Sequence, residues 1–152
     1  MKETYKRPES VLVVITTKTQ DVLMLQRVDP SNFWQSVTGS LKWGEGIEEA
    51  AWRELHEETG LLPEHGALRD LQRVQRFPIL PAWRSRYAPD VSFNTEHVFQ
   101  FELDQRVPIQ LSQNEHSQFR WCDPQEAITL ASSYTNRSVI ADIFALPDPA
   151  NK

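Results

Sequence analysis

The sequence predicts an α+β fold in which one mixed β-sheet is flanked by about three helices. Short apolar runs rich in β-branched and aliphatic residues recur along the chain and indicate strands. Three segments of good helix-forming residues, one central and two near the carboxyl end, indicate the helices. A chain of 152 residues with 39% hydrophobic residues buries one core and is too short for two full domains. Residues 1–152 are therefore expected to form a single domain.

Two strands are expected near the amino end, at residues 11–15 and 21–27, where β-branched and aliphatic residues dominate. The polar residues 16–20 between them suit a turn, so the two strands are expected to form a hairpin. Residues 33–38 precede three glycines that lie between positions 39 and 46. Because glycines interrupt regular structure, residues 39–46 are expected to form a loop before the central helix.

The central helix is expected over Ile47–Thr59, because good helix formers fill this segment. Gly60 follows at a position where glycine commonly ends a helix. Pro124 suits the first turn of a later helix, where its missing N–H group costs little. The later strands are expected at residues 68–77, 94–103 and 118–122, and the later helices at residues 124–131 and 138–146.

Charge and cysteine content exclude several classes of protein. The formal net charge of -5 would repel nucleic acid and anionic membranes at long range, so no such partner is expected, and a phosphate-bearing ligand needs local basic groups or a metal. The longest apolar run, residues 11–15, is far below the ~20 residues of a membrane span. Residues 1–9 show no signal peptide. Cys122 is the single cysteine, which favours a reduced, cytoplasmic protein.

Three glutamates crowd one face of the predicted central helix. Glu54 and Glu58 are four residues apart, and Glu57 is three residues from Glu54. Like charges at this spacing destabilise a helix, and the negative end of the helix dipole adds repulsion in the last turn. A bound cation would remove both penalties, and carboxylate oxygens suit the hard ions Mg²⁺ and Mn²⁺. Taken alone, however, such a pattern is more often a solvated, glutamate-rich helix.

The three glutamates belong to a longer pattern that decides between these interpretations. Its fixed positions are Gly39, Glu45, Arg53, Glu54, Leu55, Glu57, Glu58, Gly60 and Leu61. They match the whole Nudix box, G-x5-E-x7-R-E-U-x-E-E-x-G-U, without a gap, so the sequence resembles the Nudix hydrolase family. This resemblance implies the Nudix fold, an α/β/α sandwich, and hydrolysis of a diphosphate linkage with Mg²⁺ as the cofactor and Mn²⁺ as an alternative.

The resemblance also implies roles for the acidic side chains. Glu54 and Glu58 are expected to bind the metal most directly, while Glu57 binds it or supports the residues that do. Family members often supply a further acid from a late loop, and Glu115 is the candidate for this metal ligand. Hydrolysis needs a general base within reach of the attacking water, and Glu57 and Glu115 are both candidates. The four histidines show no metal-ligand spacing and are expected to be structural or exposed.

Other positions of the box have physical explanations of their own. Gly39 and Gly44 are expected to reach positive φ and so allow the tight backbone between the preceding strand and the helix. Arg53 stands next to the acids and is expected to orient a carboxylate during catalysis through charge-assisted hydrogen bonds. Glu45, in the loop, is its expected partner.

A second pattern, outside the box, extends from about residue 5 to residue 140. It consists of the segments at residues 5–8, 23–27, 33–39, 86–89, 94–96, 115–116 and 133–137. These segments resemble the bacterial dihydroneopterin triphosphate pyrophosphatases of folate biosynthesis, a branch of the Nudix family. The resemblance implies that the protein releases pyrophosphate from this triphosphate and leaves the monophosphate, with related activity on nucleoside triphosphates such as dATP.

The substrate pocket is expected to combine basic and polar side chains. Lys6 and Arg27 would hold phosphates that the acidic helix alone would repel, although solvated surface charge is an equal alternative for both. Thr38 would hydrogen-bond the ligand. Ser133 and Tyr134 would close the pocket.

Aromatic rings in the same regions offer faces for a flat pterin or base. Phe77 and Tyr134 are the candidates for this contact. For Phe33 and Trp34, packing in the core is the preferred interpretation.

Two departures from the family pattern leave the exact ligand open. Residues 42–43 and the proline-rich residues 76–83 both differ at places where substrate is expected to pass. One alternative is therefore a pyrophosphohydrolase of nucleoside triphosphates such as dATP or oxidised nucleotides. Another is a Nudix-fold module that binds without hydrolysis, although every acid of the box is present. The oligomeric state stays open.

Overall fold

Seven strands and three α-helices make up the fold in a computed structural model that describes residues 4–148. The strands are β1 (Glu9–Thr17), β2 (Val22–Arg27), β3 (Trp34–Gln35), β4 (Val37–Ser40), β5 (Gly66–Pro78), β6 (Phe93–Leu103) and β7 (His116–Cys122). The helices are α1 (Ile47–Thr59), α2 (Pro124–Leu130) and α3 (Tyr134–Ile143), with short 3-10 helices at Pro63–His65 and Pro81–Arg86. None of these helices is both long and apolar enough to cross a membrane.

The strands form one mixed sheet around β1. This strand pairs in parallel with β6, and antiparallel with β4 over its first half and with β2 at its end. β5 extends the sheet beyond β6, while β3 and β7 pair with β2. The predicted hairpin is present as β1 and β2, and the three later strands lie close to their predicted positions. In a simple hairpin, β2 would pair with β1 along one whole edge. Here β4 pairs with the first half of that edge, and β2 pairs only with its end.

Different helices cover the two faces of β1. Val11 and Val13 pack in a core cluster with Leu55 of α1, whereas Leu12 and Val14 pack in a second cluster with residues of α2 and α3. Successive side chains of a strand point to opposite faces, so a strand covered on both faces needs apolar residues at every position. This requirement explains the unbroken apolar run at residues 11–15. The predicted sheet with helices on both faces is confirmed.

The central helix, α1, has its predicted bounds. Gly60 ends it with a φ of 77°, and its N–H group donates to the carbonyl oxygen of His56 at 2.8 Å. A residue with a Cβ atom rarely adopts this left-handed conformation, so glycine is the natural residue here. The helix stop predicted at Gly60 is confirmed.

The last helix differs from the prediction, because α3 spans Tyr134–Ile143 and not residues 138–146. Residues 134–137 lack a strong helix-forming pattern, but a tertiary contact fixes them. The N–H group of Ser36 donates to Oδ1 of Asn136 at 2.8 Å, and Nδ2 of Asn136 donates to the Ser36 hydroxyl at 3.0 Å. Both residues are buried. Local propensity does not report a contact between residues 100 positions apart, so the start of α3 was not predictable.

Candidate active site

Helix α1 carries the three clustered glutamates at the boundary between core and solvent. Its apolar residues, among them Leu55, pack against one face of β1. Glu54 and Glu58, four residues apart, therefore turn towards the same side of the helix and are buried, with exposures of 8% and 0%. The side chain of Glu57 is about half exposed. The helix thus buries two acids and leaves the third at the surface.

Glu58 is the most unusual of these acids. Both of its carboxylate oxygens are buried, and neither has a hydrogen-bond partner within residues 4–148. Burial and the neighbouring carboxylate of Glu54 raise the pKa of Glu58 well above its usual range. Burying an ionised carboxylate without hydrogen-bond donors destabilises the folded protein. A bound group that compensates this negative charge would remove the penalty.

The loop before β7 brings two more residues to this carboxylate. Glu58, Glu115 and His116 place one ligand atom each within 4.8 Å of one another. The loop is held next to β2 because the N–H group of Val28 donates to the Glu115 carbonyl oxygen at 2.9 Å. Partial burial, followed by the charge of Glu54, raises the pKa of Glu115. The late-loop acid suggested by the sequence therefore does lie beside the acidic helix.

His116 was not assigned to the site from the sequence. It is buried, its Nδ1 atom lies 3.8 Å from Oε1 of Glu58, and its Nε2 atom lies 3.1 Å from Nε2 of Gln35. Burial, followed by the charge of Arg27, lowers the pKa of His116 to about 4, so the ring is neutral at pH 7. Histidine spacing along the chain gives no sign of this contact, and adjacency to Glu115 was the one available signal.

Arg53 makes the contacts that its position in the box suggested. Its Nε and Nη2 atoms donate to the two carboxylate oxygens of Glu45 at 2.7 and 2.8 Å. Nη1 donates to Glu54 at 2.6 Å and to Glu57 at 3.2 Å, and Nη2 donates to the Ser40 carbonyl oxygen at 3.0 Å. The hydrogen bonds that Arg53 donates to Glu45 lower the pKa of Glu45 to about 2. Arg53 therefore fixes the acids of the helix to the loop and to β4.

A second arginine, missed in the sequence, holds the loop from the other side. Nη1 of Arg7 donates to the carbonyl oxygens of Lys42 and Glu45, each at 3.0 Å. The guanidinium group of Arg7 also pairs with Glu9 at 2.7 Å, and His97 contacts the other oxygen of Glu9 at 2.8 Å. Because Glu9 begins β1, this chain of contacts ties the loop to the central strand.

Gly39 was expected to be needed for a backbone with positive φ, and this reason was wrong. Gly39 lies within β4 and does not have positive φ, whereas Gly44 does, with φ of 83°. A Cβ atom on Gly39 would lie 1.9 Å from Oε2 of Glu54. Glycine is needed at position 39 because the Glu54 carboxylate occupies the space of a side chain.

A cavity of about 320 Å³ opens on the other face of β4. Its lining includes all six residues proposed from the sequence to contact substrate, namely Lys6, Arg27, Thr38, Phe77, Ser133 and Tyr134. A larger cleft of about 640 Å³ lies on the side of the acidic helix and is lined in part by Arg53, Glu54, Glu115 and His116. Thr38 and three basic residues, Lys6, Arg27 and Arg86, line both spaces. The cavity and the acidic cleft are therefore joined along these three basic side chains, called here the basic border.

The basic border has its own local contacts. Partial desolvation and the neighbouring Arg86 lower the pKa of Lys6. The guanidinium carbon of Arg27 lies 5.2 Å from the centre of the Trp83 ring, a cation–π distance. Both departures from the family pattern are at the lining, since Trp83 lines the cavity and residues 42–43 line the cleft.

The aromatic residues divide between cavity and core. Trp34 packs against the core cluster below α2 and α3, as preferred from the sequence. Phe33 instead lines the cavity, with its ring centre 6.2 Å from that of Trp83. Phe77 and Tyr134 line the cavity as expected. The preference for core packing is therefore wrong for Phe33.

The model of the Nudix domain family matches residues 6–143 of this chain. The chain belongs to the Nudix hydrolase family. It is 45% identical to the dihydroneopterin triphosphate diphosphatase of Escherichia coli strain K12 over 90% of this chain and 91% of that protein. It is 42% identical to the Haemophilus influenzae protein of the same name, over 90% of this chain and 87% of that protein. A solved structure of the E. coli dihydroneopterin triphosphate pyrophosphohydrolase is similar with a TM-score of 0.85 at 44% identity, over 91% of this chain and 96% of that one.

Nudix hydrolases use divalent metal ions and act on small-molecule phosphates, and the donor set of this chain fits such an ion. Glu58 supplies two buried oxygens without hydrogen-bond partners in the described part of the chain. Glu54 and Glu115 raise its pKa further by their charge. Clustered carboxylate oxygens in a partly buried site are what a hard divalent cation requires.

We expect Gly39→Ala to weaken metal binding. The added Cβ atom overlaps the Glu54 carboxylate, so this side chain must move away from β4 while the backbone, which is not at positive φ, stays unstrained. Loss of an outer partner of a metal ligand typically costs about 10- to 100-fold in metal affinity, and displacing Glu54, an expected ligand, should cost at least as much. Isothermal titration with Mn²⁺ measures the change. Gly46→Ala is the control, since its Cβ atom would meet its nearest neighbour at an ordinary 3.7 Å. Equal Mn²⁺ affinity in both variants would contradict the role given to Gly39.

We expect Glu58→Gln to stabilise the metal-free protein above pH 5. The raised pKa of Glu58 means that its stabilising contribution is complete below the unfolded pKa and is lost as the pH rises through the folded pKa. The substituted amide has no charge to gain, so the advantage of the variant in EDTA should grow as the pH rises above 5, by about 1–3 kcal/mol. Urea unfolding measures it. Glu48→Gln, at an exposed position of the same helix, should show no such pH dependence, and a constant difference for Glu58→Gln would refute the expectation.

Proposed function

We propose that this Nudix hydrolase converts dihydroneopterin triphosphate to dihydroneopterin monophosphate and pyrophosphate. The observation that carries the proposal is 45% identity to a protein of that name over nine tenths of both chains. The cavity supports it, because a partly apolar space lined by aromatic rings lies next to the acidic cleft. A cytoplasmic location belongs to the same proposal.

Mg²⁺ is the proposed cofactor, with Mn²⁺ as an alternative. Glu54 and Glu58 would hold it most directly, and Glu57 and Glu115 would complete or support the ligand set. Bound divalent ions neutralise phosphate charge and increase the acidity of a coordinated water. Arg53 would keep Glu54 and Glu57 in place through the hydrogen bonds described above.

Glu57 and Glu115 are the proposed candidates for the general base. Glu57 is partly engaged, because its Oε2 atom accepts from Arg53 at 3.2 Å. Glu115 lies in the loop beside Glu58, and no hydrogen bond from Arg53 engages its carboxylate. This difference favours Glu115 as the proton acceptor.

The basic border would guide the triphosphate from the cavity to the metal. Lys6 and Arg27 line both spaces and would counter the negative charge of phosphates near an acidic helix. The hydroxyl hydrogen of Thr38 is directed to the carbonyl oxygen of Val11 at 2.9 Å, so Thr38 would serve the ligand as an acceptor. Tyr134, more than half exposed at the mouth of the cavity, would close over the ring together with Ser133.

Nucleoside triphosphates are the second candidate substrates. The favouring observation is the pair of aromatic rings, Phe33 and Trp83, at the cavity lining, since aromatic faces stack a purine as readily as a pterin. Trp83 also lies in the segment that departs from the family pattern.

We expect Glu54→Gln and Glu58→Gln each to reduce turnover by about 10²-fold or more, because binding of phosphates does not replace activation of water at the metal. Pyrophosphate release in the presence of Mg²⁺ measures the loss, and circular dichroism verifies the fold. Glu48→Gln is the matched control on the same helix and should retain activity. Near-normal turnover in either site variant would refute the assigned roles.

We expect kcat/KM to be higher for dihydroneopterin triphosphate than for dATP, dGTP or oxidised nucleotides. Discrimination is the ratio of these constants. The assay quantifies phosphate and pyrophosphate separately at one Mg²⁺ concentration. Equal or higher values on any common nucleotide would overturn the substrate assignment, and absence of hydrolysis across the panel would indicate a binding module.

A further inference from the structure

Strand β6 contributes two buried polar side chains to the base of the 320 Å³ cavity. Asn94 and Glu96 both line it, with exposures of only 4% and 5%. They are two residues apart and so lie on the same face of the strand. Phe77 of β5 is opposite Asn94 in the register, and Ser10 of β1 is opposite Glu96. The proposed function gives neither residue a role.

Glu96 retains hydrogen-bonding capacity. A carboxylate offers about four acceptor positions, and Oε1 of Glu96 accepts from Nε2 of Gln75 at 2.9 Å. The Thr38 hydroxyl is also close, but its hydrogen is directed to the Val11 carbonyl oxygen. Burial raises the pKa of Glu96 to about 7. Additional N–H donors from a ligand would satisfy this carboxylate and favour its ionised form.

Asn94 presents a second acceptor. Its Nδ2 atom donates to the Ser10 hydroxyl at 2.7 Å, while its buried Oδ1 atom has no partner among residues 4–148. The other buried asparagine of the cavity lining, Asn136, uses both ends of its amide on Ser36. The base of the cavity therefore presents hydrogen-bond acceptors, which suit a ligand with N–H donors.

A pterin ring brings such groups on one edge. Its ring N–H and exocyclic 2-amino group are adjacent donors, which a carboxylate can accept in parallel, as it does from a guanidinium group. Adenine instead presents a ring acceptor beside its amino group, which would face the carboxylate with a lone pair. Guanine shares the pterin edge. The volume is near the lower end of the usual range of about 300–1,000 Å³ for small-molecule sites, as a single bicyclic ring requires.

We propose that Glu96, together with Oδ1 of Asn94, binds the 2-amino-4-oxo edge of the substrate ring and so selects pterin over adenine. The inference rests on the proposed function for the identity of the substrate. It goes further in assigning the residues that recognise the ring. Both line the cavity and not the cleft beside the acidic helix, so they act in binding, and their loss raises KM more than it lowers kcat.

Kinetics of Glu96→Gln test the assignment. The amide places a donor where the ring also has donors, so kcat/KM on dihydroneopterin triphosphate should fall by about 100-fold, mainly through KM. Glu102→Gln, the same substitution on the same strand but away from the cavity lining, should leave both constants unchanged. An unchanged KM in Glu96→Gln overturns the subsite while leaving the proposed function intact.

Ring binding tests the same subsite without catalysis. Pterin and lumazine differ by an amino group and an oxygen at position 2, and both are fluorescent. The metal-free wild-type protein should bind pterin at least about 10-fold more tightly than lumazine, and Glu96→Gln should remove the difference. Equal affinity, or no binding of pterin at millimolar concentration, overturns the subsite. If pterin is preferred but dihydroneopterin triphosphate is not hydrolysed, the proposed function fails and the subsite stands.

Discussion

The burial of two glutamate carboxylates between α1 and β4 is the constraint on which the rest of the active site depends. Buried negative charge is costly unless other groups compensate it. Arg53 compensates Glu54 directly, and the loop acid Glu45 fixes Arg53 in turn. Glu58 has no such partner in the described residues, which leaves a divalent ion as the natural compensation. The same uncompensated charge that makes the metal-free site costly is what lets the site gather metal and, through it, phosphates.

Strand β4 joins the two halves of the site. Its consecutive residues Thr38 and Gly39 point to opposite faces of the sheet. The Thr38 side chain lies on the face of the cavity, and Gly39 makes room for the Glu54 carboxylate on the opposite face. One short strand therefore contributes to both the cavity and the acidic cleft. A ligand that spans both spaces must pass the basic border of Lys6 and Arg27.

The sequence predicted elements well where local pattern and tertiary environment agree. Helix α1 has its predicted bounds and stops at Gly60 because helix propensity and the left-handed cap act within a few residues. The prediction of α3 was wrong at its start because hydrogen bonds between Asn136 and Ser36 override local propensity. Phe33 was placed in the core because hydrophobicity alone does not distinguish a core from a cavity lining.

The sequence by itself determined the family and the acidic helix, because the fixed spacings of the box lie on one loop and one helix, where local geometry places those groups whatever the remaining chain does. The tertiary structure decided which contacts they make. It brought His116 to Glu58 and placed Asn94 and Glu96 at the base of the cavity. It also showed why position 39 must be glycine, because the Glu54 carboxylate lies against it. The pattern of residues along a strand does not reveal this contact. These are contacts between distant segments, and their distances are set by how β4, β6 and β7 pack in the sheet and not by their separation along the chain.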